Sequence, residues 1–567
     1  MILFFLGLII TNLAVFAELL GLDKNPGSWG KARTALFIVG CLIILWAVVY
    51  YRSADRVDAL IRSFLGRLFT WMEVNQYTAN LLSFFRKNGF TLPIVFFVVV
   101  IYVWFISSGT WTNWVSPTHY YANLARGFQL GHLFIPTQPD QRLSELPNPY
   151  DPSARVGIDA PLDITYYNGR YYLYWGPVPA LILLAVQPLV HGRVGDLQLV
   201  FGFICGIFLA QFFILIIVWN RFFHRHPKWM LAFSIFLAGL VSPVTFMLNN
   251  YRGARIYEAA ISGGQFFFVS GLLFIIVSLN SSLPSRWKLS LAGIFFALAI
   301  GTRLVLFIPV GIIAVLTALW VFKSNSGLPQ KIFNLFMFIF PLVLGFASLG
   351  WYNWARFGSF TESGLYYQLA GYYVQKNFPD LFKPIYIYQN IYNYLISPFR
   401  LEAQFPFAYV EYGNSKAVFS SYRLPSLYTS QQITGLFYTV PFVVFSIIPF
   451  LALLSTRIKK QSRMAFATGN DGHLYNRIIL ALGASFLSAF GFLTLYFWTA
   501  MRYIEEFMPA LIMLSVIGFW QGNQMLADKP VLRKYFSSFG FGLAAISIVM
   551  SNLIAISIND LRFLFIK

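Results

Sequence analysis

The sequence predicts an all-α protein that crosses a membrane many times. Of its 567 residues, 58% are hydrophobic and only 11% are charged, whereas soluble domains carry about 25% charged residues. Apolar runs of roughly 17 to 25 residues recur along the whole chain, and each is long enough to cross the hydrocarbon core as a helix. The alternating segments of about ten residues that indicate a membrane β-barrel are absent from the sequence.

Thirteen apolar segments fit the length of a membrane span. They are 1–20, 35–51, 92–107, 198–219, 229–248, 261–280, 289–302, 304–322, 331–350, 435–455, 477–498, 504–520 and 538–558. The first of them lacks a basic start and a small-residue cleavage site, which favours a span over a cleaved signal peptide. Segment 173–191 is also apolar, but Pro177, Pro179 and Pro188 interrupt it, so its crossing stays open at this point.

The basic residues predict which ends of the spans face the cytoplasm. The net charge is +20, and much of the excess lies in short segments between spans, as the positive-inside rule describes. These segments are 52–90, 220–228, 281–288, 323–331, 456–463 and 528–534. They share one side only if 173–191 does not cross and lies instead as a re-entrant or surface helix on the outer face. We prefer that interpretation.

This orientation predicts two parts of the chain. Residues 1–91 would hold two spans and a cytoplasmic amphipathic segment at 52–90, where apolar residues at helical spacing alternate with arginine. Residues 92–567 would form the main membrane domain, with large outer loops at 108–197 and 351–434. The two cysteines, Cys41 and Cys205, lie in apolar runs and form no disulfide framework or metal pair.

The first outer loop collects acids that could carry chemistry. They are Asp140, Glu145, Asp151, Asp159 and Asp163. A carboxylate above the membrane can deprotonate an acceptor hydroxyl or hold a divalent cation such as Mg²⁺ or Mn²⁺. The alternative is that these acids are solvated loop charges or turn caps, and Asp151 lies in the turn sequence NPYDP.

Arginines on the predicted outer side are candidates for binding an anion. Arg252, Arg255, Arg303 and Arg502 fall in connectors or at span ends, and a guanidinium suits bidentate contact with phosphate. Their alternative is a snorkelling side chain at the membrane interface. Glu258 and Glu505 each follow an arginine by three residues, so ion pairs are expected there.

Tyrosine and tryptophan are dense on the same predicted side. Residues 351–432 contain thirteen tyrosines together with Trp351 and Trp354. Such rings can stack on sugars, although an interfacial aromatic belt accounts for most of them. The sequence contains no zinc-protease, P-loop, serine-hydrolase or dinucleotide motif.

In outline, residues 90–520 resemble the GT-C class of integral membrane glycosyltransferases, which includes mannosyl- and arabinosyltransferases. The resemblance rests on five stretches in order: YYANLARGFQLGHL (120–133), YYNGRYYLYWGPVPALILL (166–184), GTR (301–303), GWYNWARFGS (350–359) and MRYIEEFMPAL (501–511). The class usually carries an acid just after the span that opens the first loop. Here that stretch is SPTHYY, with Thr118 and His119.

The resemblance implies transfer of a sugar from a polyprenyl-phosphate donor to a glycan, lipid or protein acceptor at the outer face. It leaves Asp163, Asp151 or Asp159 for the catalytic role. The residues expected to bind substrate or phosphate are Arg303, Arg255, Arg252, Arg502, His119, Tyr166 and Tyr167. A divalent cation is a further expected ligand. Membrane lipid is an expected partner, whereas nucleic acid is not. The composition fits a bacterial inner membrane.

Two other readings of the same features stay open. A transporter or flippase for a lipid-linked or anionic substrate would use the same arginines, but its helices should be charged or broken at the midplane. A non-catalytic membrane protein that retains the fold would explain the absence of an acid at Thr118 and His119.

Overall fold

The computed structural model describes a helical protein in two compact units. The described residues are 2–15, 17, 30–46, 87–112, 114–189, 194–241, 247–248, 255–280, 283–415, 423–458 and 470–558. Those up to Trp114 form one unit, and Val115–Ile558 form the other. The division differs from the predicted one at residue 91, since helix Leu92–Ile106 lies in the first unit. The predicted amphipathic segment 52–90 lies outside the described residues except for its last four.

The helices are numbered here in chain order over the described residues. In the first unit they are α1 (Ile2–Val15), α2 (31–46) and α3 (Leu92–Ile106). The second unit begins with α4 (Tyr120–Gln129), α5 (Arg142–Glu145), α6 (Val178–Val186), α7 (Asp196–Val218), α8 (Lys228–Leu240), α9 (Arg255–Leu279), α10 (Arg286–Thr302), α11 (Phe307–Phe322) and α12 (Leu328–Phe357). It continues with α13 (Val374–Asn377), α14 (Ile387–Leu395), α15 (Leu436–Thr439), α16 (Ile447–Ile458), α17 (Asn470–Thr494), α18 (Met508–Met525) and α19 (Pro530–Ser557).

Short strands occur only in the polar loops of the part that the structure describes. An antiparallel hairpin joins β1 (Thr165–Tyr167) to β2 (Arg170–Tyr172). A second one joins β3 (Arg400–Leu401) to β4 (Ala408–Tyr409). A parallel pair joins β5 (Thr429–Ser430) to β6 (Trp498–Thr499), which brings the second outer loop to the turn that follows α17.

Seven helices within the described residues are long and apolar enough to cross a membrane. They are Gly89–Ile106, Asp196–Phe223, Ile256–Leu279, Leu304–Phe322, Leu328–Phe357, Gly472–Thr494 and Pro530–Ser557. The chain is therefore an integral membrane protein of the all-α class, but the predicted number of thirteen spans is not confirmed.

Several predicted spans are shorter or interrupted. Segment 435–455 divides into α15, a 3₁₀ turn at Pro441–Ser446 and α16. Segment 504–520 starts with a 3₁₀ turn, Met501–Glu506, before α18 begins. Proline and buried polar side chains break these apolar runs, which periodicity alone does not detect. By contrast, the helix at the predicted span 289–302 is uninterrupted and begins earlier than predicted, at Arg286.

Gly176 and Asp196, which flank the helix of segment 173–191, lie on the same side of the bundle. Its helical part, Val178–Leu189, has a length of about 18 Å at the rise of an α-helix, whereas the hydrocarbon core is about 30 Å thick. Gly176 N–H donates to the Thr302 carbonyl at one end of α10. Asp196, which follows the segment, contacts Thr118 and Tyr120 beside the same loops. This agrees with the interpretation in which the segment does not cross.

The helix ends divide the second unit into two sides. The amino ends of α7, α9 and α18 and the carboxyl ends of α10, α12, α17 and α19 meet the long polar loops. The basic segments 220–228, 281–288, 323–331 and 528–534 leave from the opposite ends of these helices. The candidate site lies among the loops, and α9 packs against both α7 and α10 beneath it.

Candidate functional site

Asp163 occupies a strained position directly before the β1–β2 hairpin. Its φ of 61° lies in the left-handed region, which non-glycine residues seldom adopt. Its N–H donates to the Leu369 carbonyl at 3.0 Å, which ties this backbone to the loop that follows α12. The carboxylate Oδ1 accepts from Gln368 Nε2 at 2.9 Å, and Oδ2 accepts from the Tyr257 hydroxyl. Two distant segments, at Tyr257 and at Gln368, therefore fix one carboxylate.

Burial raises the pKa of the Asp163 carboxyl from 3.8 to about 6. The charges of Arg502 and Arg155 and the hydrogen bond from Gln368 oppose this effect but do not cancel it. A carboxylate whose pKa lies near neutral pH is a stronger proton acceptor than a solvated one. Asp163 is thus suited to take a proton from a hydroxyl group.

Arg303 lies at the break between α10 and the 3₁₀ turn Leu304–Leu306. Its Nε forms an ion pair with the Glu506 carboxylate, whose side chain is 1% exposed, while the Arg303 side chain is 14% exposed. Gln265 Nε2 donates to the Glu506 carbonyl at 2.9 Å and fixes that residue from α9. Close packing against α9 also helps to fix Arg303, because a Cβ added to Gly264 would lie only 3.1 Å from the Arg303 Cβ.

Arg502 lies in the 3₁₀ turn Met501–Glu506. Its Nη1 donates to the Gln431 side-chain oxygen at 2.7 Å. The guanidinium carbon lies 4.8 Å from the centre of the Tyr257 ring and 5.2 Å from that of Tyr503, which is the range of cation–π contact. Tyr257, which is half-buried, donates its hydroxyl to Asp163 and packs its ring against Arg502. This tyrosine therefore connects the acid and the cation.

The two arginines share an aromatic neighbour. The guanidinium carbon of Arg303 lies 5.9 Å from the centre of the Tyr503 ring, on which Arg502 also packs. A continuous series of contacts therefore runs from Asp163 through Tyr257, Arg502 and Tyr503 to Arg303. These five side chains, joined to Glu506 and Gln368, are the candidate site.

Aromatic side chains from the first outer loop adjoin the site. Tyr174 stacks on Trp175 at 4.0 Å between ring centres. Trp175 meets the Tyr257 ring edge-on at 5.4 Å and the Tyr120 ring at 6.5 Å. Burial, together with the charges of Asp163 and Asp196, raises the pKa of Tyr120 to about 12. These rings supply a surface on which a sugar could stack.

Glu505 differs from the ion-paired acid that the sequence predicts. It is fully buried, and within the described residues neither carboxyl oxygen has a hydrogen-bond partner. Burial, and then the neighbouring charge of Glu506, raises the pKa of this carboxyl well above its usual value. The predicted ion pair between Glu505 and Arg502 is therefore wrong. The ion pair at this turn joins Glu506 to Arg303.

Asp196 is the acid that sequence reasoning missed. It is fully buried, and its carboxylate accepts from the Thr118 hydroxyl at 2.6 Å and from the Tyr120 and Tyr121 N–H groups at 3.1 Å. The stretch SPTHYY, which lacks an acid of its own, receives one from the amino end of α7. Asp196 lies in the predicted loop 108–197, two residues before the predicted span 198–219, but it was not among the acids singled out there. At the same helix start, the Gly195 N–H donates to Gln198 Oε1 at 2.8 Å.

Asp151, Asp159 and Asp140 lie outside the cluster. Asp151 Oδ1 accepts from the Ser153 N–H at 2.9 Å and from its hydroxyl at 2.7 Å, which lowers the pKa of the Asp151 carboxyl. It caps a turn, as the alternative interpretation expected. The side chain of Asp159 is exposed. Asp140 pairs with Arg142 at 2.6 Å on the surface.

The remaining predicted site residues divide into structural and undetermined ones. Tyr166 and Tyr167 lie in β1, where Tyr166 is buried and Tyr167 packs against Tyr367 at 4.7 Å between ring centres. His119 is exposed at the start of α4. Arg252 and the side chain of Arg255 lie outside the described part of the chain.

Within the described ranges, no group of three or more His, Cys, Asp or Glu side chains is arranged to hold a metal ion. The acids that do converge, Asp163 and Glu506, are already bound by neutral donors and by Arg303. The predicted divalent cation thus stays a prediction.

The fold and the site define an integral membrane protein with a charged, tyrosine-rich site at one end of its helices. No family model matches the chain, and no curated protein matches it. The chain is similar to the oligosaccharyltransferase of Archaeoglobus fulgidus in its apo crystal form, with a TM-score of 0.45 and 13% sequence identity. The match covers 84% of this chain and 57% of that one, so the chain spans little more than half of that protein. A likeness at this level assigns no activity.

Proposed function

We propose that the protein is a membrane glycosyltransferase that moves a sugar from a polyprenyl-phosphate donor to an acceptor at the outer face. The observation that carries this proposal is the placement of Asp163. It is a half-buried carboxylate with a pKa of about 6, and one tyrosine, Tyr257, joins it to the Arg502 guanidinium. A base and a cation side by side are what transfer from a phosphate ester requires.

In the proposed reaction, Asp163 accepts the proton of an acceptor hydroxyl. The acceptor oxygen forms a bond to the anomeric carbon while the bond from that carbon to the phosphate oxygen breaks, which inverts the configuration. The phosphate leaves with the bonding electrons, and arginine stabilises its charge. Preorganised charge of this kind is commonly the largest catalytic contribution in a site sheltered from water.

The surroundings of the site support a lipid-linked donor. The helices that meet the site are long and apolar enough to lie in a bilayer, so a polyprenyl chain would reach the site from the lipid. The sequence has no nucleotide-binding motif, and nucleotide sugars are cytoplasmic. Stacked Tyr174 and Trp175 would face the sugar, as aromatic rings do in many carbohydrate sites.

The direct test is transfer of radiolabelled sugar from a pool of polyprenyl-phosphate sugars by the purified protein in membrane lipid. We expect Asp163→Asn to lower the rate about a hundredfold or more, as loss of a general base does. Asp159→Asn is the matched control, because it removes an exposed acid of the same loop. Folding of both variants is checked by size-exclusion chromatography.

Transfer that persists in Asp163→Asn at the wild-type rate would contradict the proposal. Movement of the intact lipid-linked sugar across the bilayer, without transfer, would favour the flippase alternative. Neither result would change the assignment of the chain as a helical membrane protein.

A further inference from the structure

Arg303 and Arg502 differ in what balances their charge. Arg303 is paired with Glu506, and the carboxylate of this pair is almost fully buried. A buried ion pair is nearly neutral as seen from outside, and separating its members leaves an uncompensated charge. Arg303 is therefore already committed to a partner within the protein.

Arg502 forms no ion pair within the described residues. Its Nη1 donates to the neutral amide oxygen of Gln431 at 2.7 Å, and the rings of Tyr257 and Tyr503 lie against the guanidinium. Its Nε is buried and has no hydrogen-bond partner in the part of the chain that the structure describes. A buried donor without an acceptor is costly, so an acceptor oxygen from a ligand would satisfy it.

The charges of Glu258 and Asp163 act on Arg502, but neither carboxylate forms an ion pair with it within the described residues. Glu505 does not pair with Arg502 either, although it follows Arg502 by three residues in the same 3₁₀ turn. The carboxyl is instead fully buried and without a partner among the described residues. A carboxyl buried in this way stays protonated, because no donor or cation compensates for the lost water.

Among the ionisable groups around Glu505, the charge of Glu506 also favours the neutral form of this carboxyl. On its own turn the neighbours are Arg502, Tyr503 and the negatively charged Glu506, and α9 contributes Tyr257 and Glu258. The other two helices packed against this turn are α17 and α18. Neither α18 nor residues 478–494 of α17 contain an ionisable side chain.

We propose that Arg502, rather than Arg303, binds the anionic group of the substrate, and that Glu505 remains a neutral acid that does not compete with this ligand for Arg502. The inference rests on the proposed function and specifies its anion site. The ligand class is a phosphate ester, because Nε and a neighbouring Nη of a guanidinium can meet two phosphate oxygens in one plane.

The test is equilibrium binding of a fluorescent polyprenyl monophosphate to the full-length protein in nanodiscs. Arg502→Gln should weaken binding roughly tenfold or more, as loss of a charge-assisted hydrogen bond does. The matched control is Arg142→Gln, which removes an exposed arginine that pairs with Asp140 outside the site and should bind within about threefold of the wild type. A comparison variant removes the Arg303 pair as a unit, with Arg303→Met and Glu506→Gln together, so that no buried charge is left alone. We expect that double variant to lose less affinity than Arg502→Gln loses.

A second measurement examines Glu505 without any ligand. Infrared difference spectra of the wild type and Glu505→Gln should show the carbonyl stretch of a protonated carboxylic acid, lost in the variant. Glu505→Gln should also bind the lipid phosphate about as tightly as the wild type, since a neutral acid is replaced by a neutral amide of the same size.

The outcomes separate the inference from the proposed function. Strong loss of binding in the Arg303 and Glu506 double variant, with Arg502→Gln unaffected, would overturn the inference while leaving a phosphate-binding enzyme. Absence of the carboxylic-acid band, or binding that tightens tenfold in Glu505→Gln, would refute the role of Glu505. A wild-type protein that binds no polyprenyl phosphate would overturn the proposed function together with the inference.

Discussion

Asp163 makes the proposed transfer reaction depend on pH. Its pKa of about 6 means that the carboxylate, which is the form able to accept a proton, dominates only above that pH. We expect kcat/KM for transfer to fall about tenfold for each pH unit below about 6, and to level off above about 7. Initial rates across that range, with the Asp163→Asn variant as the baseline, measure this. A flat profile in the wild type would contradict the role.

The same buried charge should lower stability at neutral pH. Since the pKa of Asp163 is raised from 3.8 to about 6 on folding, the folded state binds the proton more tightly than the unfolded state. Stability is then greatest below about pH 4 and declines as the pH rises through about 6. At pH 7, Asp163→Asn should raise the free energy of unfolding by on the order of 2 kcal/mol. The variant should therefore unfold at a higher temperature. Thermal unfolding at pH 4 and pH 7 measures this, and a gain of equal size at both pH values would argue against a charge effect.

At the scale of single elements, α4 depends on an acid that is distant in sequence. His119, at the start of α4, provides no side-chain cap, and Asp196 accepts from the first N–H groups instead. Asp196→Ala should therefore destabilise the protein by about 1–2 kcal/mol or more, whereas Asp196→Asn keeps one acceptor oxygen and should lose less. Chemical unfolding in detergent compares them, and equal losses for the two variants would count against the capping role.

Where the chain before α6 contacts the end of α10, the structure leaves no room for a side chain at Gly176. A Cβ on Gly176 would lie 2.0 Å from the Gly301 carbonyl oxygen, which is far inside van der Waals contact. Gly176→Ala should displace Tyr174 and Trp175 from the site and lower transfer strongly. Gly202→Ala on α7 is the control, because no atom lies within 4 Å of its added Cβ. The measurements are transfer rate and elution profile, and a fully active Gly176→Ala protein would show that this contact is not needed.

Element type was largely predictable, but element boundaries were not. Apolar length identified helices such as Leu328–Phe357 correctly, because lipid imposes a minimum length on any span. It failed at 435–455 and 504–520, where proline and buried polar groups interrupt the helix. The candidate site was predicted in part, since Asp163, Arg303 and Arg502 stood out as charges near apolar runs. Gln368, Tyr257 and Gln431 did not, because neutral side chains become site residues only through long-range contacts.

For the whole molecule, the distribution of charge predicts which face is accessible from outside. In a background with Cys41 and Cys205 replaced by serine, we expect Asp159→Cys to react with a membrane-impermeant maleimide in intact cells. Lys534→Cys, at the basic ends of the helices, should react only after permeabilisation, as the positive-inside rule requires. The reverse pattern of labelling would place the site on the cytoplasmic side and exclude a donor presented at the outer face.

The order of the site residues along the chain has a consequence for biosynthesis. Asp163 is synthesised some 340 residues before the turn that carries Arg502 and Glu506, and Gln368 some 130 residues before it. Arg303 is therefore inserted before its ion-pair partner Glu506 has been synthesised. It stays unpaired until the turn that follows α17 emerges. Chains truncated after α17 should be degraded rapidly, and pulse-chase lifetimes would rise sharply once residue 506 is included.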